Sequence, residues 1–386
     1  MSEAPGDVRV CHVCGTTLDS HYFATLGRGL RARGVHVDGV SLTDPTPPAW
    51  LRSVGGEYLF LDAKLTRQQP AGIVRLARWL RERRVDIVQT HLFAGALVGL
   101  AAARLARVPL AIMTRHHTDE IQMIGTRAHG VLDRIFTRAA DRVVVLSQAV
   151  KTHMVTREGA PPDKIDMFYQ GFDFDALAAS DDDAQRVRAE FGLQSAFVVG
   201  CVARFFKTKG HVYLFRAMRA LVGEIPNLRI LLLGGGDRSA IGAMIRDEGL
   251  EDRVIFAGYR RDVPACLRAM DVVVHPSLTE AFCQAIVEAL AAGSPIVATN
   301  VAGAPEVVTD GTHGLLVPPA DSGAIAAAVL RLHRDPAFGR RLAEAGRRSV
   351  TERFTIDRMI AAQLECYRRW LPDNVSNGRR PVVHRA

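Results

Sequence analysis

The sequence has no apolar run long enough to cross a bilayer. Its longest, Leu92 to Ala103, holds 12 residues before Arg104 ends it, short of the ~20 that a spanning helix needs. The opening MSEAPGDVRV lacks the basic and apolar regions of a secretory signal. Cysteine is sparse, six scattered residues in 386, a usage that fits a reducing compartment. These absences predict a cytoplasmic protein, at most resting on the inner face of the membrane. The one close pair, Cys11 and Cys14, has no second pair to complete a zinc site and ends a strand, where a redox pair would open a helix. Neither half of the chain is a polycation. Residues 1–175 carry 22 basic against 18 acidic side chains, and 176–386 carry 27 against 23. That excludes a dedicated nucleic-acid binder and leaves a weak attraction to anionic phosphates or lipids.

What is present is a long series of short apolar runs alternating with helix-period segments. At 386 residues the natural division is two domains, and the alternation predicts a parallel sheet in each. In the first half, apolar runs at 8–13, 35–42, 87–89, 109–113 and 142–146 read as strands, with helices between them. Residues 43–56 read as a Pro- and Gly-rich loop. Residues 70–84 form an amphipathic helix with Ile73, Val74, Leu76, Ala77 and Leu80 facing the sheet and an arginine-rich outer face. That face is either ordinary solvated surface or a weak peripheral membrane contact. Two polar loops follow strand ends: Gly15-Thr16-Thr17, and Thr114-Arg115-His116-His117-Thr118-Asp119. Binding groups are built at such places.

In the second half, strands at 197–202, 228–233, 254–257, 272–274 and 295–298 are predicted. Arg204 and Lys209 lie in the loop after the first of these. Gly234-Gly235-Gly236 follows the second, with Ser239 where a dinucleotide fingerprint would have its third glycine. Those glycines instead suit close backbone approach to a bound nucleotide. The central stretch is 275–320. Glu280 falls in a loop after Val272-Val273-Val274 and His275-Pro276-Ser277, and Glu288 falls eight residues on, read as about two turns into the next helix. Two glutamates eight apart are common by chance. Here they sit in a strand-loop-helix-strand unit, downstream of two loop cations.

With that setting, Glu280 to Glu288 resembles the E-x7-E signature of the retaining glycosyltransferases of family 4, the group 1 glycosyltransferases. Ala203 to Gly210 resembles that family's G-R-x-x-x-x-K-G segment. The resemblance implies a GT-B fold: two Rossmann-like doubly wound domains facing across a cleft, residues 1–175 on the acceptor side and 176–354 binding the nucleotide sugar. A helix at 355–371 would cross back to the first domain, and 372–386 would be a disordered tail. It implies that Arg204 and Lys209 bind the diphosphate and Glu288 the ribose, with Tyr259 and Arg260 near the base. Glu280 would face the donor sugar, and His116 or His117 would serve the donor sugar or the acceptor. The amides of Phe282, Cys283 and Gln284 would cradle phosphate, and Gly15, Thr16 and Thr17 would form the first loop.

The family's E-G-F-G is here Glu280-Ala281-Phe282-Cys283, and its first-loop Gly-Gly is reduced to Gly15. The extra Cβ atoms narrow the donor pocket. No metal and no cofactor are implied. The donor, UDP- or GDP-linked, is a substrate, and its partner is a hydroxyl acceptor. The expected activity is transfer of a hexose with retention, in glycan, glycolipid or glycosylated-metabolite synthesis. The alternatives are a sugar-nucleotide epimerase of the same fold and a non-catalytic nucleotide-sugar binder.

Overall fold

The computed structural model describes residues 8–64, 66–116 and 127–371. The chain divides into two compact units, Met1–Phe172 with Phe354–Ala386, and Asp173–Arg353.

Among the described residues, the first unit has a seven-stranded parallel sheet. Its strands are β1 (Arg9–Cys14), β2 (His36–Ser41), β3 (Tyr58–Phe60), β4 (Ile87–His91), β5 (Leu110–Arg115), β6 (Arg142–Val145) and β7 (Ile165–Met167). Their order is β3-β2-β1-β4-β5-β6-β7, so the strand order reverses direction at β1 and β4, where such sheets place their ligands. The runs are buried on both faces, as a parallel sheet under helices requires. Register aligns Cys14 with His91 and His91 with Thr114. Gly15, Leu92 at the start of helix Leu92–Ala106 and His116 therefore share one edge of the sheet.

Three expectations need correction. The stretch 43–56 contains a short helix, Ala49–Ser53, fixed because Trp50 is buried and its Nε1 donates to the Leu18 carbonyl at 2.9 Å. A tryptophan in a Pro-rich stretch supplies the apolar anchor that composition alone hides. In helix Gln69–Glu82, Leu76, Ala77 and Leu80 are buried, but Val74 is 52% exposed. At 3.6 residues per turn it lies about 110° round from the centre of the buried stripe. The third concerns the start of the helix that carries Glu288, described below.

Helix Ile356–Trp370 packs against helix His21–Arg31 of the same unit. A buried polar network holds it there. The Tyr367 hydroxyl donates to Gln89 Oε1 at 2.6 Å, and Gln89 Nε2 donates to Thr114 Oγ1 at 2.8 Å and to Gln363 Oε1 at 3.3 Å. At its end the Trp370 indole donates to Asp166 at 2.9 Å, and Arg369 pairs with the same carboxylate. Where the chain leaves and re-enters this unit, Phe172 N donates to the Phe354 carbonyl at 2.9 Å. The tail beyond residue 371 and His117 lie outside the described residues.

The second unit is a six-stranded parallel sheet among the described residues. It comprises β8 (Phe197–Val202), β9 (Leu228–Leu233), β10 (Val254–Gly258), β11 (Val272–His275), β12 (Ile296–Thr299) and β13 (Leu315–Val317), in the order β10-β9-β8-β11-β12-β13. The reversal falls at β8 and β11. One side of the sheet is sealed by Leu214, Phe215, Met218 and Leu221 of helix His211–Leu221 together with Ile325, Val329 and Leu332 of helix Ser322–Arg334. The Asp181-Asp182-Asp183 run is the first turn of a helix, with Ser180 and Asp183 forming its capping box and three carboxylates at the positive end of the dipole.

Candidate active site

In the second unit the loops after β8 and β11 lie against each other. Leu278 N donates to the Thr208 carbonyl at 2.8 Å. Gly210, at φ +66°, sits so close to Pro276 that a Cβ would meet its carbonyl oxygen at 2.0 Å. This packing brings Lys209 and Glu280 together across 71 residues of chain, with Nζ donating to Oε1 at 2.5 Å. The same oxygen accepts from Ser277 Oγ at 2.8 Å and lies 2.9 Å from His275 Nε2. Burial alone would push the Glu280 carboxyl up. The hydrogen bond and charge of His275, with those of Lys209, overcome it and hold the group well below the usual carboxylate range.

Cys283 follows in the left-handed region at φ +57°, so the backbone shape that favours glycine is kept without one. Its thiol is buried, and burial with the nearby Glu280 charge pushes its pKa well up, which excludes a nucleophilic thiolate. Its Sγ lies within 4.8 Å of ligand atoms of His275 and Glu280, but the cation at that carboxylate is Lys209. Phe282 is buried and Gln284 exposed.

The next helix begins at Gln284. Glu288 is therefore its fifth residue, about one turn in, and the four residues from Glu280 are loop. A position two turns into the helix would require the residues from Glu280 onward to be helical. Glu288 has no side-chain partner among the described residues, and burial pushes its pKa up to about 7. The two glutamates thus sit in opposite environments: one fixed and charged, the other poised to titrate.

Arg204 is exposed, with its guanidinium 4.6 Å from the Phe206 ring centroid. Gly234 is packed tightly against this loop: a Cβ there would meet the Ala203 carbonyl oxygen at 2.1 Å. Tyr259 is 89% exposed. The Arg260 guanidinium is occupied by Glu190 at 2.6 and 2.9 Å and by Asp262 at 2.7 and 2.8 Å. That position therefore offers its backbone and the Tyr259 ring more than a cation.

In the first unit, Gly15 is buried while Thr16 and Thr17 are exposed at the edge shared by β1 and β4. Ser41 Oγ donates to the Thr16 carbonyl, and Thr43 Oγ1 to the Gly15 carbonyl at 3.4 Å. His116 stands directly after β5, its Nε2 3.0 Å from His91 Nδ1. His91 in turn places Nε2 3.0 Å from His12 Nδ1. The preceding residue, Arg115, is fully buried between Asp133 and Glu158, which fixes the strand end that His116 leaves.

The sequence pattern did not single out His275 and Ser277 as holding Glu280, nor His12 as part of a cluster. The period-two spacing of His275, Ser277 and the nearby Glu280 was the available signal for the first pair. For His12, alternation along β1 with Cys14 facing His91 was the only one.

Known proteins match both units of the chain. The family model described as Glycosyltransferase Family 4 matches residues 20–176, and that described as Glycosyl transferases group 1 matches residues 196–335. The chain is 30% identical over 332 residues to D-inositol 3-phosphate glycosyltransferase of Mycobacterium marinum, covering 81% of this chain and 69% of that protein. It is 27% identical over 316 residues to 2-deoxystreptamine glucosyltransferase of Streptomyces kanamyceticus, covering 78% and 82%. The fold is similar to that of Anabaena Alr3699/HepE solved with UDP-glucose, at a TM-score of 0.82 and 23% identity, over 94% of this chain and 99% of that one. It is also similar to that of sucrose-phosphate synthase from Thermosynechococcus elongatus, at a TM-score of 0.81 and 23% identity, over 94% and 98%. Each unit is a Rossmann-like doubly wound sheet of the GT-B type, and the chain belongs to the group 1 glycosyltransferases of family 4, enzymes that transfer sugar from a nucleotide donor.

Proposed function

We propose that the protein transfers a hexose from a UDP-linked donor, with retention, to a hydroxyl of a small polyhydroxylated ring. The observation that carries this reading is the Lys209–Glu280 pair followed, on the next helix, by the unpaired Glu288. A departing nucleoside diphosphate gathers negative charge as the glycosidic bond breaks. Fixed cations lower that barrier most where water is scarce. Lys209 and exposed Arg204 supply the cations, and the backbone amides at Phe282, Cys283 and Gln284 add the start of a helix. Glu280 accepts from hydroxyls of the donor sugar, and Glu288 from the ribose. His116, Thr16 and Thr17 serve hydroxyls of the sugar substrates. No side chain is placed as a nucleophile: the acceptor hydroxyl attacks from the face that the diphosphate leaves. No cofactor is assigned.

Uridine is favoured over guanosine because similar folds were solved with UDP and UDP-glucose. The acceptor class follows from the names of two similar enzymes, one acting on D-inositol 3-phosphate and one on 2-deoxystreptamine. Both are six-membered rings bearing several hydroxyls.

The test is a thermal-shift panel of nucleoside diphosphates, followed by turnover with cyclitol acceptors and NMR of the product anomer. A midpoint raised by UDP and not GDP, and an α-linked product from an α-linked donor, are expected. A β-linked product would refute retention, and a shift with GDP alone would refute the uridine assignment.

A further inference from the structure

Helix Leu92–Ala106 follows strand β4 with no loop residue between them. His91 ends the strand in extended backbone, at φ −133° and ψ 138°, and Leu92 turns the chain at φ +62°. The turn is sharp because the start of the helix is pressed against the end of β1. A Cβ on Gly95 would meet the Val13 carbonyl oxygen at 2.8 Å and Gly15 N at 2.9 Å. One on Gly99 would meet Thr90 Cγ2 at 2.5 Å. Gly15 N in turn donates to the His91 carbonyl at 3.4 Å. With both sides of the turn fixed, one residue must absorb the reversal.

Leucine is a poor residue for that task. In the left-handed region its Cβ crowds the following carbonyl oxygen, and a bulky side chain there is a genuine outlier. Among the described residues, the other non-glycine positions at positive φ carry aspartate, arginine, cysteine or alanine. Glycine or asparagine would make the same turn with less strain. Nor is the side chain sealed in the core, since it is 39% exposed. Backbone strain of this kind persists where the surroundings fix it, and it clusters at functional sites. In α/β-hydrolases a strained strand-to-helix turn lifts a nucleophile above the sheet. Here the turn presents an apolar group, at the sheet edge that also carries the exposed Thr16 and Thr17.

We propose that Leu92 is a specificity-determining residue for the acceptor, an apolar platform for the C–H face of a hydroxylated six-membered ring. Such a ring carries hydroxyls round its rim and C–H groups on its faces. Thr16 and Thr17 match the rim and Leu92 the face, a combination of apolar surface with a few polar groups that ligand sites use. This rests on the reading that the first unit serves the acceptor of a sugar transfer. The platform holds the ring before and during transfer alike, so it sets the acceptor KM and not kcat.

The experiment joins two measurements on the full chain. The first is methyl NMR of leucine-labelled protein, with the Leu92 signals identified by their absence in Leu92→Met. With UDP already bound, these signals should shift on addition of D-inositol 3-phosphate or 2-deoxystreptamine. Signals that respond to neither cyclitol overturn the proposal. Turnover of a cyclitol with Leu92 silent overturns the platform and leaves the transfer reading standing. Leu92 signals that shift where no cyclitol is turned over keep the platform and sink the transfer reading.

The second measurement is kinetics and melting of substituted chains. Leu92→Ala and Leu92→Gly should each raise the acceptor KM about tenfold, the scale of leaving the exposed part of one leucine uncovered. Their kcat and donor KM should stay within about twofold of wild type. Leu92→Met restores apolar reach and should recover most of the loss. Leu92→Gly should melt above Leu92→Ala, because alanine keeps the strain at positive φ and glycine does not. An unchanged acceptor KM, an equal rise in donor KM, or an alanine variant that melts as high as the glycine one overturns the proposal.

Discussion

Lys209 donates to Glu280 across 2.5 Å, and the two reach each other only because the loops after β8 and β11 are packed backbone to backbone. In the ligand-free protein each neutralises the other. Diphosphate then competes for the lysine while sugar hydroxyls compete for the glutamate. Lys209→Ala should lower kcat by about 10²–10³-fold, the scale of losing one preorganised charge-stabilising donor, with a smaller effect on stability. Glu280→Gln should also lower kcat. A double-mutant cycle on stability should give a coupling of about 1–3 kcal/mol, and a coupling of zero would mean that the contact is incidental.

Glu288 gives a pH dependence of known sign. Its folded pKa, about 7, lies above the unfolded value, so the folded state holds the extra proton between roughly pH 4.5 and 7. Its contribution to stability is therefore best below that window and worsens as pH rises through it. Glu288→Gln should raise the unfolding free energy at pH 8 by roughly 1–3 kcal/mol relative to wild type and change it little at pH 4.5. UDP affinity should move oppositely in the wild type, rising from pH 6 to pH 8 as the carboxylate becomes available, and the Gln variant should lose that rise. Calorimetric titration at the two pH values checks both.

Gly210 is the hinge point of the loop contact. Gly210→Ala adds a Cβ 2.0 Å from the Pro276 carbonyl oxygen at a positive φ. A loss of about 2–4 kcal/mol is expected, together with a kcat loss out of proportion to any change in secondary structure, because the strand ends that carry Lys209 and Glu280 must separate. Urea unfolding and circular dichroism distinguish the two effects.

All six cysteines are free and buried. A thiol reagent should find almost none of them in the native protein and all six after denaturation. A fast-reacting thiol in the folded protein would contradict the buried position and raised pKa of Cys283.

Much of the fold was legible because long apolar runs bounded by polar loops leave few readings. Of the thirteen strands among the described residues, those missed, β3, β7 and β13, have three residues each and are too short to show a period. The paired cations and glutamates were legible because charged residues are conspicuous beside strand ends. What composition could not show was how those groups are held. His275 and Ser277 flank Pro276, which packs against Gly210, and the Arg260 guanidinium is held by Glu190, 70 residues away. Long-range partners of this kind depend on packing that no local pattern encodes.

The seam between Phe172 and Phe354 has a consequence for how the chain is made. Unit two is one uninterrupted segment and can complete its core as soon as residue 353 has left the ribosome. Unit one begins first and finishes last. Until Tyr367 and Trp370 emerge, Gln89 lacks its tyrosine donor and Asp166 its indole, and the sheet face under the final helix stays uncovered. The early-synthesised half must therefore wait, partly dressed, through the making of almost two hundred further residues. Loss of even the last two turns of helix Ile356–Trp370 should harm the opening strands of the protein more than the neighbours of those turns in sequence.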